Sequence, residues 1–146
     1  MTNLHDAAVR ADVVRRLQAL RPDSERKWGK MSVDQMLWHV GDALALSLGD
    51  LTVDAGKPPI PRALLKFIVL NLPWSKNGPT HPAFVATRNY DFAAERARCL
   101  HLIDKVASRD MHGDWPNHPV FGPMTGEQIS RLHAKHLNHH LLQFGV

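Results

Sequence analysis

Val9, Val13, Leu17 and Leu20 recur at helical offsets, which predicts a helix over about His5 to Leu20. Arg21, Pro22, Asp23 and Ser24 break it. Ser32 followed by Gln35 is a capping-box pattern ahead of a second periodic run. That run predicts a helix from about Val33 to Leu48, with Gly49 as its C-terminal cap. Its inward stripe is Met36, His39 with Val40, Ala43 and Leu46. Gly41, inside the same helix, costs up to ~1 kcal/mol relative to alanine and leaves room for a close neighbour.

Leu51 to Pro61 holds Gly56 and three prolines and reads as a loop. Pro61 suits the first turn of a short helix, Arg62 to Leu72, which Pro73 stops. No periodic pattern survives from Trp74 to Asn89. Connections this long within a compact domain are commonly lids or binding loops. Asp91 is placed to cap a helix running to about Ser108, with Phe92, Cys99, Ile103 and Val106 as its apolar stripe. A second irregular stretch spans Asp110 to Pro123. Thr125 with Gln128 is another capping box, and it opens a last helix from about Gly126 to Phe144. No alternating β pattern and no internal repeat is visible. Four long helices, one short one and two Pro-rich connections describe an all-α fold, a four-helix bundle.

Length and composition narrow the class. A chain of 146 residues, 44% hydrophobic and 22% charged, suits one globular domain over residues 1–146. One cysteine, Cys99, excludes an intramolecular disulfide framework. No leader pattern is visible, and the longest apolar stretch, Ala63 to Trp74, is too short to span a bilayer. The expectation is a cytoplasmic protein without a membrane partner. Lys and Arg exceed Asp and Glu by four and are scattered along the chain, which argues against a nucleic-acid partner. A bundle with an apolar outer face can form a homodimer, although no specific interface signal is present.

The unusual residue is histidine, ten copies against one tyrosine. On the last helix, with His136 taken as zero and about 100° per residue, His140 lies about 40° round, His133 about 60°, and His139 about 60° the other way. Ile129, Leu132, Leu137, Leu141 and Phe144 average about 60°, so His133, His136 and His140 share the buried face and His139 lies toward its edge. Two histidines at i and i+4 can share one metal ion. His39, in the apolar stripe of another helix, is the candidate for a third ligand. Burying several unpartnered imidazoles would cost a few kcal/mol, and a shared cation removes that cost. The alternative is a buried hydrogen-bond cluster of the same side chains. His5, His81, His101 and His112 read as surface or loop residues, and His118 lies in the loop leading into the last helix.

The segments Trp28-Gly-Lys-Met-Ser-Val-Asp-Gln-Met-Leu-Trp-His39 and His118-Pro-Val-Phe-Gly-Pro-Met-Thr-Gly-Glu-Gln128, with His136-x-x-His-His140-x-x-Gln143, resemble a domain-of-unknown-function branch of the DinB-like superfamily. The resemblance covers essentially the whole chain. It implies a four-helix bundle of up-down-down-up topology. It also implies a divalent metal, zinc or nickel, held by one histidine of the second helix and two of the last, here His39, His136 and His140. Relatives of this kind include transferases and isomerases that use a low-molecular-weight thiol. The commonest ending of the family places Arg-Gly-Gln after His-His, whereas Leu141, Leu142 and Gln143 stand here.

Three neutral histidines form the ligand set of a catalytic zinc site, with a further position for water or substrate. Hydrolysis and thiol transfer are both open to such a site, acting on a small-molecule substrate. His133 is the candidate proton shuttle. Asp42, three residues beyond His39, is a candidate orienting group, and the bland reading of it is a solvated helix residue. Cys99 on an apolar stripe reads as an inert core thiol. Trp28, Trp38, Trp74 and Trp115 can line a pocket or plug the ends of a bundle. The competing class is a metal- or ligand-binding bundle without turnover.

Overall fold

The computed structural model describes residues 2–146. Five α-helices account for most of them: α1 (Ala7–Ala19), α2 (Val33–Leu48), α3 (Arg62–Asn71), α4 (Phe92–Ser108) and α5 (Gly126–Gln143). Among the described residues there is no β-strand, and no helix is long and apolar enough to cross a membrane.

The helix ends follow local chemistry. The Asp6 carboxylate accepts from Ala8 N and Val9 N at the start of α1, and Asp91 accepts from Ala94 N at the start of α4. These bonds satisfy backbone donors that have no partner within the helix. At α5 the capping box is reciprocal: Thr125 Oγ1 accepts from Gln128 N, and Gln128 Oε1 accepts from Thr125 N. At α2 the Ser32 amide donates to Gln35 Oε1 at 3.0 Å. The expected bounds of α2 and α4 match; α3 and α5 each end one residue earlier, and α1 starts two residues later, after the Asp6 cap, and ends one earlier.

Helices α1, α2, α4 and α5 pack around one core, with α2 against α4 and α5, and α1 against α4 and α5. Leu17, Met36, Leu37, Val40, Leu44, Cys99, Ile103, Leu137 and Leu141 are all essentially excluded from water. This ring of contacts is compatible with a four-helix bundle. The buried surface of α2 is broader than the expected stripe: Leu37 and Leu44 are sealed, while Ala43 is only partly covered. The difference arises because α2 lies between two neighbours, so one face meets α4 and another meets α5. Gly41 fills the role expected of it. A Cβ there would fall 3.0 Å from Arg98 Nη1 and 3.5 Å from Cys99 Sγ, both on α4.

The main helix partner of α3 is α5. A small second cluster, Leu70 with Met124, Ile129 and Leu132, joins them. The outward residues of α3, Leu64 and Phe67, stay exposed. The long connection after α3 contains one element that periodicity does not reveal, a single 3-10 turn over Pro82–Phe84 opened by His81. Its importance lies in Phe84, which delivers a carbonyl to α2.

Candidate metal centre

His39 projects from α2, and His136 and His140 project from one face of α5. Their ligand atoms all lie within 4.8 Å of one another. His136 Nε2 is 2.9 Å from His39 Nε2 and 3.1 Å from His140 Nε2. His39 and His140 are buried, at 7% and 8% exposure, while His136 keeps part of its surface open.

The far side of two of these rings is held. His39 Nδ1 lies 3.0 Å from the Phe84 carbonyl oxygen, and a carbonyl only accepts, so Nδ1 carries the proton. His140 Nδ1 lies 2.8 Å from Gln143 Oε1. The Gln143 amide cannot be reversed, because its Nε2 donates to the Trp28 carbonyl at 2.9 Å. His140 Nδ1 therefore also carries the proton. In each neutral ring the other nitrogen, Nε2, is then a bare lone pair.

The positions of these protons bear on the two readings of the buried histidines. His136 Nε2 carries at most one hydrogen, and it faces two bare lone pairs. One proton satisfies one of these contacts and leaves the lone pair of the other ring without a donor. Protonating the group is no remedy. Burial pushes all three pKa values down, and mutual repulsion pushes His136 and His140 further, His140 to about 3. The Phe84 bond and the Asp42 charge oppose the shift at His39 but do not reverse it. A cation among the three nitrogens gives each lone pair a partner at once. Fixing the outer nitrogen of a ligating imidazole by a carbonyl is a common way to set its tautomer and direction. The three histidines thus fit a divalent ion and could hold one.

The other candidates are placed as follows. His139 does not join the group. Its ring meets Trp28 edge-on, at 5.8 Å between centroids, and Trp74 at a tilt, at 5.5 Å. Trp74 also leans on His136 at 5.7 Å. Trp74 therefore lines the centre directly, and Trp28 flanks it through His139 and through its carbonyl on Gln143. Trp38 stacks on Tyr90, and Trp115 packs on His5, both elsewhere. His133 is 2% exposed, its Nε2 bonds Ser47 Oγ at 2.7 Å, and burial lowers its pKa to about 3. His118 Nδ1 accepts from Val120 N and Phe121 N in a turn closed by Gly122. Asp42 is taken up by Arg98, which also binds Glu95. Cys99 is sealed, donates to the Leu37 carbonyl, and burial raises its thiol to about 12.

Two parts of the centre escape periodicity, the Phe84 carbonyl and the Gln143 amide. Gln143 was visible only as the end of the His-x-x-His-His-x-x-Gln pattern. Its partner segment, Trp28-Gly29, packs so closely that a Cβ on Gly29 would fall 2.5 Å from Gln143 Nε2.

The Trp28–His39 and His136–Gln143 segments that build this centre lie within one family match, over residues 3–145. The chain belongs to the family described as protein of unknown function (DUF1569). No curated protein and no solved structure matches it. Membership of DUF1569 takes in the three histidines, Gln143, Trp28 and Trp74 together, so the whole centre lies inside the family's extent.

Proposed function

We propose that this chain is a divalent-metal protein of the DinB-like superfamily, a single domain over residues 1–146 with a four-helix bundle of up-down-down-up topology. In this reading His39, His136 and His140 hold one zinc or nickel ion. The protein acts in the cytoplasm on a small molecule, by hydrolysis or by transfer of a low-molecular-weight thiol, and has no nucleic-acid or membrane partner.

The observation that carries the reading is the proton count at the centre, three converging Nε2 atoms with no hydrogen arrangement that serves them all. A divalent ion bound by three neutral imidazoles supplies Lewis acidity and acidifies a water or thiol ligand. The chain's own part is to orient the ligands. Phe84 and Gln143 fix two tautomers, Trp74 covers His136, and Trp28 packs behind it on His139. The proton-shuttle role of His133 belongs to this proposal, and its surroundings weigh against it. A base working near neutral pH needs a pKa near neutral, whereas His133 is held at about 3 and turned to Ser47.

That same feature favours a second reading, a metal-holding bundle without turnover. No carboxylate is hydrogen-bonded to the three histidines among the described residues, and Asp42 is occupied by Arg98. Elemental analysis after loading with zinc or nickel tests the shared premise. About one ion per chain is expected, and its absence from the wild-type protein would return the centre to a hydrogen-bond cluster.

A further inference from the structure

The net charge of +4 is not spread evenly over the molecule. Residues 57–76, which contain α3 and Trp74, carry Lys57, Arg62, Lys66 and Lys76 and no acidic residue. Residues 128–146, most of α5, carry Arg131 and Lys135 and again no acidic residue. The rest of the chain, with the other 12 basic and all 14 acidic residues, is net negative by two. The cations look scattered along the sequence, but α3 packs on α5 and so joins the two acid-free segments into one wall.

None of these six cations is paired with a carboxylate among the described residues. Their partners are neutral. Lys66 donates to the Pro123 carbonyl, Arg62 to those of Val120 and Gly56, and Lys135 to those of Val69 and Leu72. Arg131 donates to Asn71 Oδ1. A carbonyl orients a cation without cancelling its charge. Lys76 has no acceptor of this kind; it lies over the Trp28 ring, 4.9 Å from the centroid. Lys135 lies over Trp74 at 5.4 Å. The indole that lines the three-histidine centre, Trp74, and the one that flanks it through His139, Trp28, therefore each carry a cation on one face.

We infer that this wall recruits a small oxyanion, a carboxylate- or phosphate-bearing molecule, to the three-histidine centre, with Lys76 as a recognition residue. The inference rests on the proposed metal reading and narrows its substrate class. Three neutral imidazoles leave the full charge of a divalent ion uncompensated, and a one-signed wall raises the local concentration of the opposite charge. A small anion fits better than a nucleic-acid backbone. Two of the three histidines are enclosed, and the outer face of α3 presents Leu64 and Phe67 rather than its cations.

The test uses the cobalt-loaded full chain and reads binding from the visible cobalt spectrum, with acetate, inorganic phosphate and neutral acetamide as probes. Acetate or phosphate should perturb the spectrum at concentrations at least tenfold below acetamide, and more weakly as ionic strength rises from about 0.01 to about 0.15 M. Lys76→Glu should weaken the anion about three- to tenfold, the range for inverting one partly screened charge. Arg21→Glu makes the same net change at an exposed position outside the wall and should leave affinity unaltered. Cobalt content, measured separately, should be equal in all three proteins. Equal affinity for acetamide and acetate, or unchanged anion affinity in Lys76→Glu at full cobalt content, would overturn the inference and leave the metal reading standing. A duplex oligonucleotide that binds through Lys76 at physiological salt would overturn the assignment to a small anion. Failure of the wild-type protein to take up cobalt would remove the metal reading and the inference with it.

Discussion

His39 Nε2 and His136 Nε2 lie 2.9 Å apart, although 97 residues separate them. The contact joins α2 to α5, so the centre exists only when those helices are packed. Metal binding and folding are therefore coupled: an ion that binds the folded state alone stabilises it by about 2.7 kcal/mol at a free concentration 100 times its dissociation constant. Zinc or nickel should raise the unfolding temperature of the wild-type protein, and a chelator should reverse the rise. His39→Ala should retain the helical circular-dichroism signal and lose the metal-dependent part of that rise.

The neighbours His139 and His140 provide an internal control. His140 points its Nε2 at His136, whereas His139 packs against Trp28 and Trp74. Replacing His39, His136 or His140 by alanine should remove most of the bound metal, and His139→Ala should leave stoichiometry nearly unchanged. The reverse pattern, loss in His139→Ala with retention in His140→Ala, would show that the face of α5 has been misassigned.

Gln143 holds His140 from behind and is itself held by Trp28. Loss of such an orienting partner typically costs 10- to 100-fold in metal affinity. Gln143→Leu should show a loss of about that size in competition with a chelator, with stoichiometry still near one at saturation. Gly29→Ala should act in the same direction without touching a histidine. Gly29 sits at φ +80°, which disfavours a side chain, and the added Cβ would displace the Gln143 amide. Wild-type affinity in both variants would mean that His140 needs no outer anchor.

What the sequence discloses and what it conceals follow from the range of each signal. His136 and His140 are legible because helical geometry is local: four residues apart is one turn. The bounds of α2 and α4 are legible because Ser32, Gly49 and Asp91 are local stop and start signals. Apart from the family resemblance, His39 stands out only as a polar residue in an apolar stripe, since the pairing of α2 with α5 is a tertiary event. The Phe84 carbonyl is a main-chain group in a Pro-rich connection, and nothing in its side chain announces its role. The occupation of Asp42 by Arg98, 56 residues away, likewise could not be read from the spacing of Asp42 and His39.

Gly41 separates packing from the metal chemistry. Its backbone approaches Arg98 and the buried Cys99. Gly41→Val would push a branched side chain into that contact, and overpacking of this kind costs about 1–3 kcal/mol. A lower urea midpoint is expected, with the metal-to-protein ratio unchanged in the protein that remains folded. An equal or higher midpoint would show that α2 and α4 have slack at this crossing.

In metal-free protein, buried histidines outside the three-nitrogen group add to the pH dependence of stability that the three themselves contribute. His133 and His118 have folded pKa values of about 3 and about 4, in both cases chiefly because burial penalises the imidazolium. The ordinary value is 6.5, and the unfolded chain titrates near it. Between those limits the unfolded state binds more protons than the folded one, so stability rises with pH there. The contribution is fully present above the unfolded value and drains away as pH falls through 6.5 toward 4 and then 3. In metal-free protein the urea midpoint should be level above about pH 7.5 and fall steadily below about pH 6.5. His133→Gln removes one titrating group while keeping a donor for Ser47, so its midpoint should fall less steeply over the same interval. A wild-type midpoint that stays level down to about pH 4.5 would mean that neither imidazole is held neutral by burial.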